Sequence, residues 1–423
     1  MEKKVTSYRA VTHHRPDLDE LFALWLLSRF GKQVYPGLSR SPIQTIDAGL
    51  SLTPGETGDK WLDRGCVVIG ALGGQFDEHG KGDGKSAASL TAEFLGLADN
   101  AGLKPILAYA VKADDKATDG PFAMARLIKD MHSAGVPLEQ VRRIVDRWLD
   151  SLYDVFMNRY EKTSELMSVK QIAIDWFLER FGQRLNQAPT CTFQDVMDAP
   201  EIKVQLTEAM TGELAHIQKY LDVQMDEEDP FSFAGVVYAM QMDSFPPSMV
   251  IEDARIVLNA KVFVQQQFMA AIDDFASKAR MLADCPVRVA VIRSDNEQMN
   301  RAARASDPQL ALIVQVRSSG HVQIFSDHRR DLRPILARLR DEESRMRGGR
   351  RLPIWRLYEP GTLLEIPEWF GFEKYGKVIA VFNSTVKTCR VPRTILTLAH
   401  VEICVREGLK QTTRPRGHQR AQR

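Results

Sequence analysis

The stretch Val11-Thr12-His13-His14-Arg15-Pro16-Asp17-Leu18-Asp19-Glu20-Leu21-Phe22 passes from an apolar run into a polar cluster and back to apolar residues. Upstream, residues 5–11 read as a short strand. Downstream, Leu18, Leu21, Phe22, Trp25 and Leu26 fall at the i, i+3, i+4, i+7, i+8 positions of a helix, which the spacing predicts over residues 18–30 with Gly31 as its stop. His13, Asp17 and Asp19 therefore lie on a loop between a strand and a helix. One imidazole and two carboxylates on one loop form a compact ligand set for a divalent cation such as Mn²⁺ or Mg²⁺. The same pattern has a plainer reading. Asp17 or Asp19 would cap the helix, Asp19 standing where an N-cap falls, and His13 and His14 would be ordinary surface residues.

Working outward, residues 44–47 and 66–69 are extended, β-branched runs, and 86–95 return to helical spacing. Alternating strands and helices predict a parallel α/β sheet, whose ligands gather at the carboxyl ends of the strands. Asp77-Glu78-His79 follows the second such strand, and Asp114-Asp115 closes the apolar segment 106–111. Each is a turn-like cluster by itself. Together with the first loop they could complete a two-cation site. Residues 122–224 are helical in pattern, interrupted near 186–192, with a boundary at DEEDPFSF (226–233) and further helix over 251–282. After Pro286 a second α/β pattern begins: strand 287–292, helix 296–305, strands 310–316 and 321–325, an Arg-rich helix 331–347, then a strand-rich segment and a helix near 396–407. The expected organisation is a parallel-sheet α/β domain over 1–130, a helical region over 131–285, a smaller basic α/β domain over 286–412 and a disordered basic tail over 413–423.

Composition narrows the class. The 423 residues are 44% hydrophobic and 26% charged, the balance of a globular protein and of neither a disordered nor a membrane chain. The first residues are charged without an apolar core, and no apolar window reaches membrane-spanning length, so a cytoplasmic protein is expected, with no membrane partner. Five cysteines lie far apart with no CxxC pair, which argues against a disulfide framework and against a thiolate zinc site. Net charge is +1, yet residues 286–423 hold 26 Lys and Arg against 14 Asp and Glu, a balance of +12 that leaves −11 for the rest. An acidic front suits cations and a basic back suits a phosphate-bearing ligand, although solvated surface explains the same numbers.

The motifs HHRPDLDE, FDEHG with its following KSAASL, and AVKADD resemble those of the DHH (Asp-His-His) phosphoesterase superfamily, with GALGGQFDEHG closest to the MYG-type metal-dependent hydrolase branch. The resemblance covers residues 1–130, and residues 286–350 are loosely similar to the family's small substrate-binding domain. It implies an α/β, DHH-like phosphoesterase domain that uses one or two Mn²⁺ or Mg²⁺ ions to hydrolyse a phosphodiester in a nucleotide or short single-stranded nucleic acid. His13 and Asp17 would hold one ion, Asp19 with Asp114 or Asp115 the other, and Asp77 and Glu78 stand at the family's His-bearing motif. Asp17, Asp19 and His79 would be the catalytic groups, with His14 and His79 toward the substrate phosphate.

This sequence departs from the pattern at two places. The stretch Val68 to Gly74 supplies no bridging carboxylate, and Glu78 stands where the family has His. Asp77 or Asp47 are the carboxylates within reach as substitutes. Two cations without a bridging anion repel each other, so a catalytically impaired nucleotide- or nucleic-acid-binding relative is the alternative. A scaffold whose helical region binds a protein partner, or a homo-oligomer, is a further reading. Gly80 to Ser86 imitates a phosphate-binding P-loop but has one residue too few between its outer glycines. In the basic domain Arg329, Arg330, Gly348 and Gly349 are the candidate phosphate donors, against the alternative of a solvated helix face.

Overall fold

A computed structural model describes residues 7–47, 55–78, 84–115, 120, 122–157, 229–243, 245–327, 329–349, 351–374, 376–385 and 391–412. The chain is mixed α/β and divides into two compact units. The first comprises the described residues of Met1–Ile46 and Gly55–Val264, the second those of Asp47–Pro54 and Gln265–Arg423. The helical pattern read between 158 and 228 and the basic tail lie outside the described residues.

In the first unit, β1 (Arg9–His13) is the middle strand of a parallel sheet between β2 (Gln44–Ile46) and β3 (Cys66–Val68), in the order β2-β1-β3. The register pairs His13 with Ile46 and Val11 with Val68, so the carboxyl ends of all three strands share one edge. β1 runs later than its apolar pattern suggested. Thr12 and His13 are polar yet buried within it, and a reading that looks for apolar residues stops short of them. Helix α1 (Leu18–Phe30) has the expected bounds but not the expected one-sided face: every residue from Leu18 to Leu27 is buried. A helix buried all round is central rather than peripheral. Around it stand α2 (Gly58–Asp63), α3 (Ala87–Phe94), α4 (Lys104–Asp115), α5 (Met124–Ser133), α6 (Leu138–Phe156) and α7 (Phe233–Met242). Helices α3, α4, α5 and α6 pack directly on α1. The apolar segment 106–111 is thus a turn of α4. Arg29, near the end of α1, joins Asp150 and Asp154 of α6 and lies over the Tyr153 ring at 4.8 Å.

The long helix α8 (Pro247–Lys278) contains the point at which the two units are divided. The second unit is built on β4 (Arg280–Met281), β5 (Val289–Arg293), α9 (Met299–Ser306), β6 (Leu312–Val316), β7 (Val322–Ser326), α10 (Arg333–Met346), the short α11 (Ile354–Leu357), β8 (Gly361–Leu363), β9 (Ile366–Lys374), β10 (Lys377–Phe382) and α12 (Leu398–Thr412). Its seven strands form one sheet in the order β4-β5-β6-β7-β10-β9-β8, parallel between β5 and β6 and antiparallel elsewhere. Cys66 and Cys404 are buried free thiols, and burial pushes Cys404 up to about 12, so it acts as packing.

Arg340 of α10 is fully buried, and its guanidinium ties the sheet edge to the helix. Its Nη1 donates to the carbonyls of Leu357 and Glu359 at 3.0 and 2.6 Å, its Nη2 to those of Gly361 and Trp369 at 2.6 and 3.1 Å. Burial lowers its pKa to about 10, which leaves it charged at neutral pH. One turn on, the buried Glu343 accepts from Trp369 Nε1, Thr394 Oγ1 and the Ile395 amide. Only a planar fork reaches four carbonyls at once. Arg340→Lys is therefore expected to destabilise the second unit by about 2 kcal/mol or more, since each buried carbonyl left without a donor costs about 1–3 kcal/mol; a denaturant midpoint equal to the parent's would refute this role.

On α6, burial pushes Asp146 up from 3.8 to about 6, opposed by the nearby Arg142 guanidinium. A carboxyl that holds its proton more tightly when folded makes the native state gain stability as pH falls from about 6 toward 3.8, and lose it as pH rises through that window. Asp146→Asn is expected to flatten this slope and to raise stability at pH 7, as read from urea midpoints at several pH values.

Candidate functional site

The loop after β1 is held in a conformation the chain would not choose alone. Arg15 has φ +56°, the left-handed region, immediately before Pro16. Two contacts fix it. The buried His132 of α5 donates from Nε2 to the Pro16 carbonyl at 2.8 Å, and Asp17 begins α1 as its N-cap in a capping box with Glu20. Asp17 Oδ1 accepts from the Asp19 amide at 3.2 Å, and Glu20 Oε2 accepts from the Asp17 amide at 2.7 Å. Lys129, on the same face of α5 as His132, places Nζ 3.9 Å from Asp17 Oδ2.

His13 is positioned at both ring nitrogens. Nδ1 lies 2.9 Å from the His14 carbonyl, which only accepts, so Nδ1 carries a hydrogen. Nε2 lies 2.8 Å from Glu20 Oε1. That contact requires a proton, or another cation, shared between imidazole and carboxylate. The apolar spacing does not single out Glu20, although the Asp17-x-x-Glu20 spacing is that of a capping box. It also explains the glycine that follows β3. Gly70 has φ +63°, and a Cβ there would lie 2.8 Å from Glu20 Cγ and 2.9 Å from Oε1. The Glu20 carboxylate thus fills the space that a side chain at position 70 would otherwise enter.

Asp19 is not the N-cap of α1. It points away and caps another helix: Oδ2 accepts from the Ala87 amide at 2.6 Å and Oδ1 from the Ala88 amide at 3.0 Å, at the start of α3. Burial raises its pKa well above the usual carboxylate value, and the charges of Glu20 and Glu78 raise it further; hydrogen bonds from Ser86 and Ala88 work the other way. Asp77 is buried and accepts from the Gly73 amide at 2.6 Å, closing the Gly70–Asp77 loop. That loop has left-handed backbone at Gly70, Leu72 and Gly73, and its Gly74 packs tightly against Gly58 of α2. Glu78 is half-buried, and Asp47 is buried directly after β2.

The structure therefore gathers His13, Asp17, Asp19, Glu20 and Glu78 around the start of α1. Asp17, Asp19 and Lys129 line a space of about 10 Å³ together with Ala110 and Ala113 of α4 and Ala125, roughly the room of one water. Asp114 and Asp115 are the last residues of α4, next to Ala113; their side chains and His79 lie outside what is described. Among the described residues no group of three or more His, Cys, Asp or Glu is arranged as a complete metal-binding set. In the second unit Arg329 and Arg330 line a separate cavity. Gly348 and Gly349 use their amides to end α10, donating to the Arg345 and Ser344 carbonyls at 3.2 and 2.9 Å, rather than leaving them open to a ligand.

No family model and no curated protein matches the chain. A solved structure, an uncharacterized protein from Helicobacter pylori G27, aligns with 96% of this chain and 99% of its own at 9% identity and a TM-score of 0.24, a likeness too low to carry an argument.

The Gly70–Glu20 contact can be measured as a coupling. Gly70→Ala places a Cβ in left-handed backbone, a cost of about 1–2 kcal/mol, and also displaces the Glu20 carboxylate. Truncation by Glu20→Ala removes the obstruction. The double variant is expected to be more stable than the sum of the two single losses by at least about 0.5 kcal/mol; additive losses would show that Glu20 does not occupy this space.

Proposed function

We propose that the chain is a metal-dependent phosphoesterase that hydrolyses a phosphodiester in a nucleotide or short single-stranded nucleic acid, with its site at the carboxyl end of β1. The observation that carries this reading is His13. A ring with Nδ1–H fixed on a backbone carbonyl and Nε2 directed at a carboxylate is the arrangement of a metal-binding imidazole with its orienting partner. Two of the donors have the spacing of a hard divalent cation's ligands: adjacent donors about 2.1 Å from an octahedral ion stand about 3 Å apart, close to the 2.8 Å between Nε2 and Glu20 Oε1. His13, Asp17 and Glu20 would hold the ion, with Asp19, Glu78, Asp77 and the end of α4 as further carboxylates. Bound there, Mn²⁺ or Mg²⁺ would offset phosphoryl charge and activate water.

This chain's own groups do the rest. His132 and the capping box hold the loop so that Asp17 needs no rearrangement to meet its ligand. Lys129 beside Asp17 adds the positive charge that an anionic phosphodiester needs near so many carboxylates. On this reading His14 and His79 lie toward the substrate phosphate, and Glu20, whose carboxylate stands beside Gly70, would supply a carboxylate that the stretch after β3 lacks.

A second reading is favoured by Asp19. Its two oxygens are committed to the α3 amides, and no carboxylate arises from position 70, so a binding protein without turnover is the alternative. Incubation with a bis-aryl phosphodiester and short oligonucleotides is expected to give Mn²⁺-dependent turnover that chelator abolishes and Asp17→Asn lowers by about 100-fold or more. Calorimetric binding of Mn²⁺ without turnover would favour the second reading. Absence of both would overturn the assignment of the site.

A further inference from the structure

A cavity of about 390 Å³ opens in the second unit, lined by Val287, Arg288, Arg304, Gln309, Asp327, Arg329 and Arg330 among others. It lies where β5 and β6 begin and β7 ends, opposite the edge at which parallel strands usually present their ligands, so it is no extension of a strand-end site. Four of its residues are arginines and one is an aspartate. Arg288 is paired with Asp307, which accepts from Nε and Nη2 at 2.9 and 2.6 Å. Asp327 spends one oxygen on the Arg329 amide at 3.1 Å.

Arg304 is only partly satisfied by the described residues. Nε donates to Asn300 Oδ1 at 3.2 Å and Nη1 to the Leu310 carbonyl at 3.3 Å, while the buried Nη2 meets no acceptor among the described residues. Nε of Arg330 is likewise buried without an acceptor among them. A buried charged donor left unsatisfied is costly, and two of them on arginines that line one cavity leave positive charge there that the described residues do not fully compensate. Desolvation lowers the Arg304 pKa and Asp327 opposes that effect, as expected of a cation held away from water. Among the described residues the lining is charged, polar or aliphatic, with no aromatic side chain on which a nucleobase would stack.

We propose that this cavity is an anion site for a small, densely charged phosphate compound of the phosphoanhydride class, bound by Arg304 and Arg330, with the more exposed Arg288 and Arg329 adding charge. The site belongs to the second unit alone and does not depend on hydrolysis in the first. Arg304 Nη2 and Arg330 Nε supply charged donors of the kind that phosphate oxygens accept.

Inorganic pyrophosphate is the probe, titrated calorimetrically into the full chain in metal-free buffer at two salt concentrations. The expected result is binding that weakens as salt rises, falls at least 10-fold in Arg304→Gln and in Arg330→Gln, and is unchanged in Asp17→Asn. Pyrophosphate should also protect the Arg304 and Arg330 peptides of the unaltered protein from phenylglyoxal, a readout that survives if a variant fails to fold. Absence of binding by the parent chain overturns the proposal, as does loss in Asp17→Asn with both arginine variants binding normally, or modification of both arginines at the same rate with and without pyrophosphate. Failure of phosphodiester turnover, by contrast, leaves it standing.

Discussion

Glu20 is the point at which strand, helix and glycine loop of the first unit are made to agree. One oxygen closes the first turn of α1 by accepting the Asp17 amide, and the other faces the ring at the end of β1. Its carboxylate also occupies the room that Gly70 leaves open after β3. One side chain thus links the end of β1, the first turn of α1 and the glycine after β3, alongside the His132 contact to Pro16 and the helices packed on α1. Because α1 is buried all round, an error there would be transmitted to each helix packed on it. Asp19 extends the same dependence to α3, whose first amides it accepts from another part of the chain.

What the sequence made legible follows from how local each interaction is. The bounds of α1 could be read because its apolar spacing, its N-cap and Gly31 are all local signals. The mixed α/β class could be read from the alternation of periods. The end of β1 could not, because Thr12 and His13 are polar residues buried by neighbours that the strand itself does not reveal. Glu20 was in plain view within the quoted stretch, but its role needs Gly70, which only folding brings near. Asp19 shows the limit most clearly: the plain reading assigned it to the helix that follows it, and its actual partners are the amides of Ala87 and Ala88.

Arginine illustrates the same limit in the second unit. The sequence shows a basic domain and offers no means of ranking its arginines. In the fold Arg340 gives both Nη groups to backbone carbonyls, with only its buried Nε left without an acceptor among the described residues, and Arg347 pairs with Glu343 and Glu368. Arg304 and Arg330 instead line a cavity and keep buried donors unused among the described residues. Net charge counts all of them alike. What sets Arg304 and Arg330 apart from Arg340 is the cavity beside them, and that is formed by loops and strand ends far from each arginine in sequence.

The acidic cluster around α1 poses the converse problem. Asp19, Glu20 and Glu78 share a buried neighbourhood, and their mutual charge raises the Asp19 pKa beyond what burial alone does. Helix capping accounts for one role of each of Asp17, Glu20 and Asp19. It does not require that all three lie together, since a serine or threonine caps a helix without adding a charge. Like-charged groups at short range beside the left-handed Arg15 backbone cost stability, which is what makes the cluster a candidate site. A cation at this edge would turn the repulsion among these carboxylates into attraction toward a common centre. That is the physical reason for reading the cluster as a site, and it rests on the charges and their burial, independently of any resemblance.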